Sequence, residues 1–252
     1  MGLHVEREGA GPTLVLVHGF TQTGRSWGRV AADLRRDHEV VRPDAPGHGG
    51  SSAIEADLPT GGDLLVDAVG GPATYVGYSM GARLSLHAAL QHPDAVRGLV
   101  LLGGTAGLED AEERATRVTS DRALATRLAT DGVDAFLERW LAQPLFARLP
   151  SDEEDRADRR RNTVAGLRSS LLLAGTGTQV PAWDRLRRLA MPVLAVAGAD
   201  DAKFAALAQR MAERIGDNAT VALVPDAGHA AHLEQPDAFV ALLRGWLTTH
   251  HL

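Results

Sequence analysis

The stretch VGYSMGARLS, residues 76–85, sets a serine between two glycines, directly after an apolar run and directly before a helix-like one. GYSMG fits the G-x-S-x-G pattern of a nucleophile elbow, a sharp strand-to-helix turn that lifts a serine hydroxyl clear of a sheet. The glycines flank the turn because a side chain there would crowd it. Ser79 is therefore the candidate reactive residue, and the amide of Met80, next in the chain, a candidate oxyanion donor. The plain alternative is a glycine-flanked serine in an ordinary strand-to-helix turn, so the pattern on either side has to decide.

Outward from the elbow, short apolar runs end in glycine or turn residues: TLVLVHG (13–19), HEVVRPD (38–44), ATYVGYS (73–79), RGLVLLGG (97–104), PVLAVAGAD (192–200) and ATVALVPDAGH (219–229). Buried parallel strands read this way. Helical stretches separate them, among them WGRVAADLRR (27–36), GARLSLHAALQHP (81–93) and FAALAQRMAERIG (204–216), the last closed by Gly216. The alternation predicts an α/β fold, a doubly wound and mostly parallel sheet, with functional residues just beyond the carboxyl ends of the strands. Residues 108–180 break the rhythm, with no strand signal and with 11 arginines against 13 acidic residues. They predict a helical cap insertion into a core formed by 1–107 and 181–252. The most biased piece, SDEEDRADRRRN (151–162), reads as a solvated helix face.

Composition narrows the class. A chain of 252 residues, 44% hydrophobic, can bury the core of one large domain. The absence of cysteine excludes disulfides and thiolate catalysis and fits a reducing compartment. MGLHVEREGAGP lacks the charged-then-apolar pattern of a signal peptide, and no run approaches the roughly 18 apolar residues of a membrane span, so a cytoplasmic protein is expected. A net charge of −6 gives no electrostatic footprint for nucleic acid. Arginine supplies 25 of the 26 basic residues, Lys203 being the exception, so arginine identity alone is no signal. There is no HExxH and no dense His/Asp cluster, and HGFTQTG lacks a full G-x-G-x-x-G; neither metal nor cofactor is expected.

A reactive serine needs a base, and of 10 histidines the best placed is His229, after the last strand. His18 and His48 also follow strands, but HGF and PGHGGS read as loop-shaping; His250 and His251 belong to a tail expected to fray. A carboxylate that fixes the histidine tautomer comes from AGADDAKF, where Asp201 is preferred and Asp200 stays open. RGLVLLGG ends without an acid, which removes a rival location. The order Ser79, Asp201, His229 is that of the nucleophile-elbow enzymes. Phe20, in the loop after the first strand, offers the second oxyanion amide.

HGFTQTGRSW, DAPGHGGS, GYSMGAR and DAGHAAHLEQP together resemble the α/β-hydrolase family over nearly the whole chain. More narrowly, GYSMGAR with GLEDAEERATRVTSDR, FLERWLAQPLFARL and GADDAKF resembles the 2-succinyl-6-hydroxy-2,4-cyclohexadiene-1-carboxylate synthases of menaquinone biosynthesis. This resemblance implies a carbon-oxygen lyase in which the triad serine abstracts a proton and pyruvate leaves. It also implies a substrate site. Arg83 lies four residues after the serine and hence on the same helix face, one turn on. Arg117 in EERATR and Arg161 in RRRN match further arginines, with Arg159 and Arg160 adjoining the latter, and Trp140 and Tyr78 match aromatic positions. GAR replaces the GGR of many relatives. The implied partner is a small tricarboxylate, which suits several guanidinium groups each able to bind a carboxylate bidentately. Hydrolase motifs serve many activities, so a carboxylesterase, thioesterase or C–C hydrolase with the same triad is the alternative. A non-catalytic binding protein is the third reading.

Overall fold

The structure, a computed structural model, describes residues 2–252. Its strands are β1 (Val5–Glu8), β2 (Thr13–Val17), β3 (Glu39–Pro43), β4 (Ala73–Tyr78), β5 (Val96–Leu102), β6 (Val193–Gly198) and β7 (Ala219–Val224). They form one sheet in the order β1-β3-β2-β4-β5-β6-β7, parallel throughout except for β1 against β3. The six expected strands are all present. The seventh, β1, has no apolar run to announce it: its four residues, VERE, are at most partly buried on one edge of the sheet. Its VERE sequence is paired by charge instead: Arg42 of β3 reaches Glu6 at 3.0 Å and Glu8 at 2.9 Å.

Strand alternation sorts the interior into two layers. Val15 and Val17 face a layer closed by α2 (Leu58–Val69), α3 (Met80–Gln91) and α7 (Ala202–Ile215). Leu14 and Leu16 face the other layer, closed by α1 (Gly28–Leu34), the short α8 (Ala231–Glu234) and α9 (Pro236–His250), where Phe239, Leu243 and Trp246 pack. The tail does not fray as expected. α9 continues through His250, whose ring lies 5.1 Å from that of Trp246, and ends at His251 in a left-handed cap. None of the helices described is long and apolar enough to cross a membrane.

Between β5 and β6 the chain leaves the sheet and forms α4 (Ala111–Leu141), α5 (Glu153–Arg159) and α6 (Val164–Leu173). α4 is broken at Gly132, whose φ of 78° no ordinary helical residue takes. These helices have a small apolar cluster of their own, with Leu128, Phe136, Leu167 and Leu171 against Phe20 of the core. The charged run 151–162 is not merely a solvated face: Arg159 and Asn162 are buried, at 2% and 4% exposure, against the loop after β2.

Candidate active site

At the end of β4 the backbone turns so sharply that Ser79 takes φ 52°, ψ −106°. Close approach, rather than a positive φ, requires the glycines beside it. A Cβ on Gly77 would stand 2.4 Å from the Gly81 carbonyl oxygen, and one on Gly81 2.1 Å from that of Val17. Ser79 Oγ then lies 3.3 Å from His229 Nε2, and His229 Nδ1 lies 2.9 Å from Asp201 Oδ2. The other carboxylate oxygen of Asp201 accepts the Phe204 N–H at the start of α7, so the acid is held at both ends. Asp200, one residue earlier, turns away and pairs with Arg148 at 2.6 Å. The ring of Phe204 packs 4.3 Å from that of His229 and shields it from solvent on that side.

Met80 opens α3, where an N–H has no helical acceptor. The Phe20 N–H likewise has no hydrogen-bond partner among the described residues. Its loop is fixed by Gln22, whose Oε1 accepts the Gly19 N–H at 2.9 Å. His18 and His48 shape the neighbouring turns as neutral rings. His18 bridges Gly19 and Ala45, and His48 bonds the Pro46 carbonyl. Burial lowers them to about 4 and about 3 respectively.

A cavity of about 900 Å³ opens over Ser79 between sheet and cap. Tyr78, Arg83, Arg117 and Trp140 line it, along with both oxyanion residues. Trp140 stands 5.1 Å from Phe20, ring to ring, and burial raises the Tyr78 phenol above its ordinary value. Arg161 does not line it: this side chain lies outside, 3.7 Å from Asp158. Arg159 lines it instead, its guanidinium bonded to Asp155 at 2.7 Å and to Thr21 Oγ1 at 2.5 Å. The expectation at Arg161 is thus displaced by two residues. α5 ends at Arg159, and the three successive arginines point in different directions. Arg210, stacked on Trp183 at 4.0 Å, and Lys203, within GADDAKF, also reach the cavity.

The arginines differ in how they are neutralised. Arg117 bonds Asp121 at 2.8 Å. Arg83 is 8% exposed, gives one hydrogen bond to the Ala174 carbonyl at 2.7 Å, and makes no ion pair among the described residues. Burial, then the charge of Arg117, brings it down to about 10, so it stays cationic at neutral pH. Asp121 offsets this in part through its charge, but no carboxylate lies in ion-pair contact with Arg83 among the described residues; a buried cation so placed is costly, and this one lines the cavity over the serine.

Sheet order, elbow and triad geometry together define a class, and the sequence comparison agrees: a profile of the alpha/beta hydrolase family matches residues 14–242, and the chain belongs to that family. Among its relatives, the 2-succinyl-6-hydroxy-2,4-cyclohexadiene-1-carboxylate synthase of Serratia proteamaculans is 34% identical over 244 residues, covering 94% of this chain and 93% of its own. MenH from S. aureus superposes with a TM-score of 0.92 at 27% identity, over 99% of each chain. A thermophilic esterase from Thermogutta terrifontis, solved with malate bound, superposes at 0.84 with 26% identity, over 99% of this chain and 94% of its own.

Proposed function

We propose that this chain eliminates pyruvate from 2-succinyl-5-enolpyruvyl-6-hydroxy-3-cyclohexene-1-carboxylate, leaving 2-succinyl-6-hydroxy-2,4-cyclohexadiene-1-carboxylate, in menaquinone biosynthesis. His229 takes the proton of Ser79, its imidazolium stabilised by Asp201. The serine oxygen then removes a proton from carbon, the electron pair moves through the ring, and the bond to the enolpyruvyl oxygen breaks. The departing enolpyruvate takes up a proton to become pyruvate. Negative charge developing on the carbonyl conjugated with the reacting carbon is met by the Phe20 and Met80 amides.

The observation that carries this reading is Arg83. A pocket for neutral esters has no use for a buried, unpaired guanidinium beside its serine, whereas a tricarboxylate supplies its counter-ion. Arg117 and Arg159 line the same cavity, each held by an aspartate, and offer further guanidinium donors to the other carboxylates. The test compares substrates. A hydrogen bond to a charged group contributes roughly 1.5–3 kcal/mol, so Arg83→Ala should lose about 10- to 100-fold in kcat/KM on the tricarboxylate. Hydrolysis of a small neutral ester should change little. Equal losses on both would mean that Arg83 merely supports the fold.

The esterase reading retains one argument of its own, since the triad would serve acyl transfer equally well and an esterase superposes closely. It requires a serine-bound intermediate. Intact-protein mass spectrometry after rapid quench with the enolpyruvyl substrate should find the chain unmodified; an adduct at burst stoichiometry would favour hydrolysis.

A further inference from the structure

Thr21 follows Phe20 in the loop after β2, and its φ is 69°. A β-branched residue in the left-handed region is strained, by roughly 1–3 kcal/mol, so neighbouring contacts must hold it there. Within the loop the Gln22 N–H donates to the Gly19 carbonyl at 3.2 Å, closing a turn with Thr21 inside it; the remaining contacts come from the cap. Asn162 Nδ2 donates to the Thr21 carbonyl at 2.7 Å, and Arg159 Nη1 donates to its hydroxyl at 2.5 Å. Asn162 is anchored in turn, its Oδ1 accepting the Gly49 N–H at 2.9 Å and its Nδ2 also reaching the Arg159 carbonyl at 3.0 Å. Thr23 adds a parallel tie, its hydroxyl donating to Asp158 at 2.6 Å.

Relaxation of Thr21 to a negative φ would rotate the chain before it relative to the chain after it, and so swing the Phe20 amide. We propose that Asn162, a cap residue that does not line the cavity over Ser79, is a positioning residue that locks Thr21 in its strained conformation and thereby keeps the Phe20 N–H aimed at the oxyanion position. Cap and oxyanion hole are then coupled, because the cap supplies the donors to the Thr21 carbonyl and hydroxyl. This rests on Phe20 as an oxyanion donor but is independent of which substrate is turned over.

The test uses a neutral probe that needs no arginine, diethyl p-nitrophenyl phosphate. Ser79 Oγ attacks phosphorus, the serine proton passes to His229, and p-nitrophenolate leaves while the P=O oxygen occupies the oxyanion position. The second-order rate is read from p-nitrophenolate absorbance, and the site from intact mass. Losing an oxyanion donor outright costs about 10²–10³ in rate; loosening one through Asn162→Ala should slow labelling about 10-fold. Asn162→Asp, which keeps an acceptor for Gly49 but has no donor for Thr21, should do the same even if the alanine variant folds poorly. In a Thr21→Gly background, where φ 69° carries no penalty, Asn162→Ala should cost less than about threefold. An equal loss in both backgrounds, or wild-type labelling by Asn162→Asp, would overturn the proposal, as would a wild type that is not labelled at all. If the labelling pattern holds while no pyruvate is released from the enolpyruvyl substrate, the substrate reading alone falls.

Discussion

With its hydroxyl 3.3 Å from His229 Nε2, Ser79 owes its basicity to that ring, and the ring owes its orientation to Asp201. Removing any one of these therefore removes the function of all three. Ser79→Ala should nearly abolish pyruvate release with the fold intact. His229→Ala and the double variant should be no worse than the serine variant by more than about threefold, since a triad acts as a unit. Steady-state pyruvate assays check this, and multiplicative losses would argue that the residues act separately. A second contrast belongs to the cap arginines. Arg159→Ala should cost about 10- to 100-fold in kcat/KM, whereas Arg161→Ala, paired only loosely to Asp158 outside the cavity, should stay within about twofold. The reverse ranking would restore Arg161.

At the level of elements, the elbow was legible because its constraint is local. Gly77 and Gly81 meet backbone atoms of their own turn and of β2, and no side chain fits. Gly81→Ala, with its Cβ 2.1 Å from the Val17 carbonyl oxygen, should therefore destabilise by about 3 kcal/mol or more, seen as a markedly lowered Tm; an unchanged Tm would mean that the turn can yield. The central strands were legible for a similar reason, their burial on both faces leaving an apolar run. β1 was not: unlike β7 at the other edge, its short VERE carries charges that pair with Arg42 and read as surface. Nor could local pattern choose among Arg159, Arg160 and Arg161. Which of three consecutive side chains points inward depends on where α5 ends and how it docks on the loop after β2, a tertiary fact. Asp201 against Asp200 was open for the same reason and is separated by the N-terminus of α7.

On the scale of the whole molecule, four buried histidines, His18, His48, His87 and His232, couple folding to pH, each held below its ordinary value chiefly by burial. Burial holds His18 at about 4, His48 at about 3 and His87 at about 4, all below the unfolded value of 6.5. Between pH 6.5 and about 4 the unfolded chain binds protons that the folded chain refuses, so stability is greatest above this window and falls as pH drops through it. Each pKa unit corresponds to about 1.4 kcal/mol, so by pH 5 each of these rings contributes up to about 2 kcal/mol of the loss. Tm should therefore decline from pH 7.5 to pH 5 in the wild type and decline less in His87→Leu, which removes one of the four groups. Parallel declines would remove His87 from this account.

Elimination of pyruvate by a serine base, beneath a cavity that holds Arg83, Arg117 and Arg159, unites triad and cations in one reaction. Incubating the purified chain with 2-succinyl-5-enolpyruvyl-6-hydroxy-3-cyclohexene-1-carboxylate, while following pyruvate by a coupled assay and the ring by its conjugated-diene absorbance, tests it most directly. Catalytic pyruvate release, matched mole for mole by diene formation and lost in Ser79→Ala, is the result predicted. No pyruvate above the uncatalysed rate, or release that persists undiminished in Ser79→Ala, would contradict it.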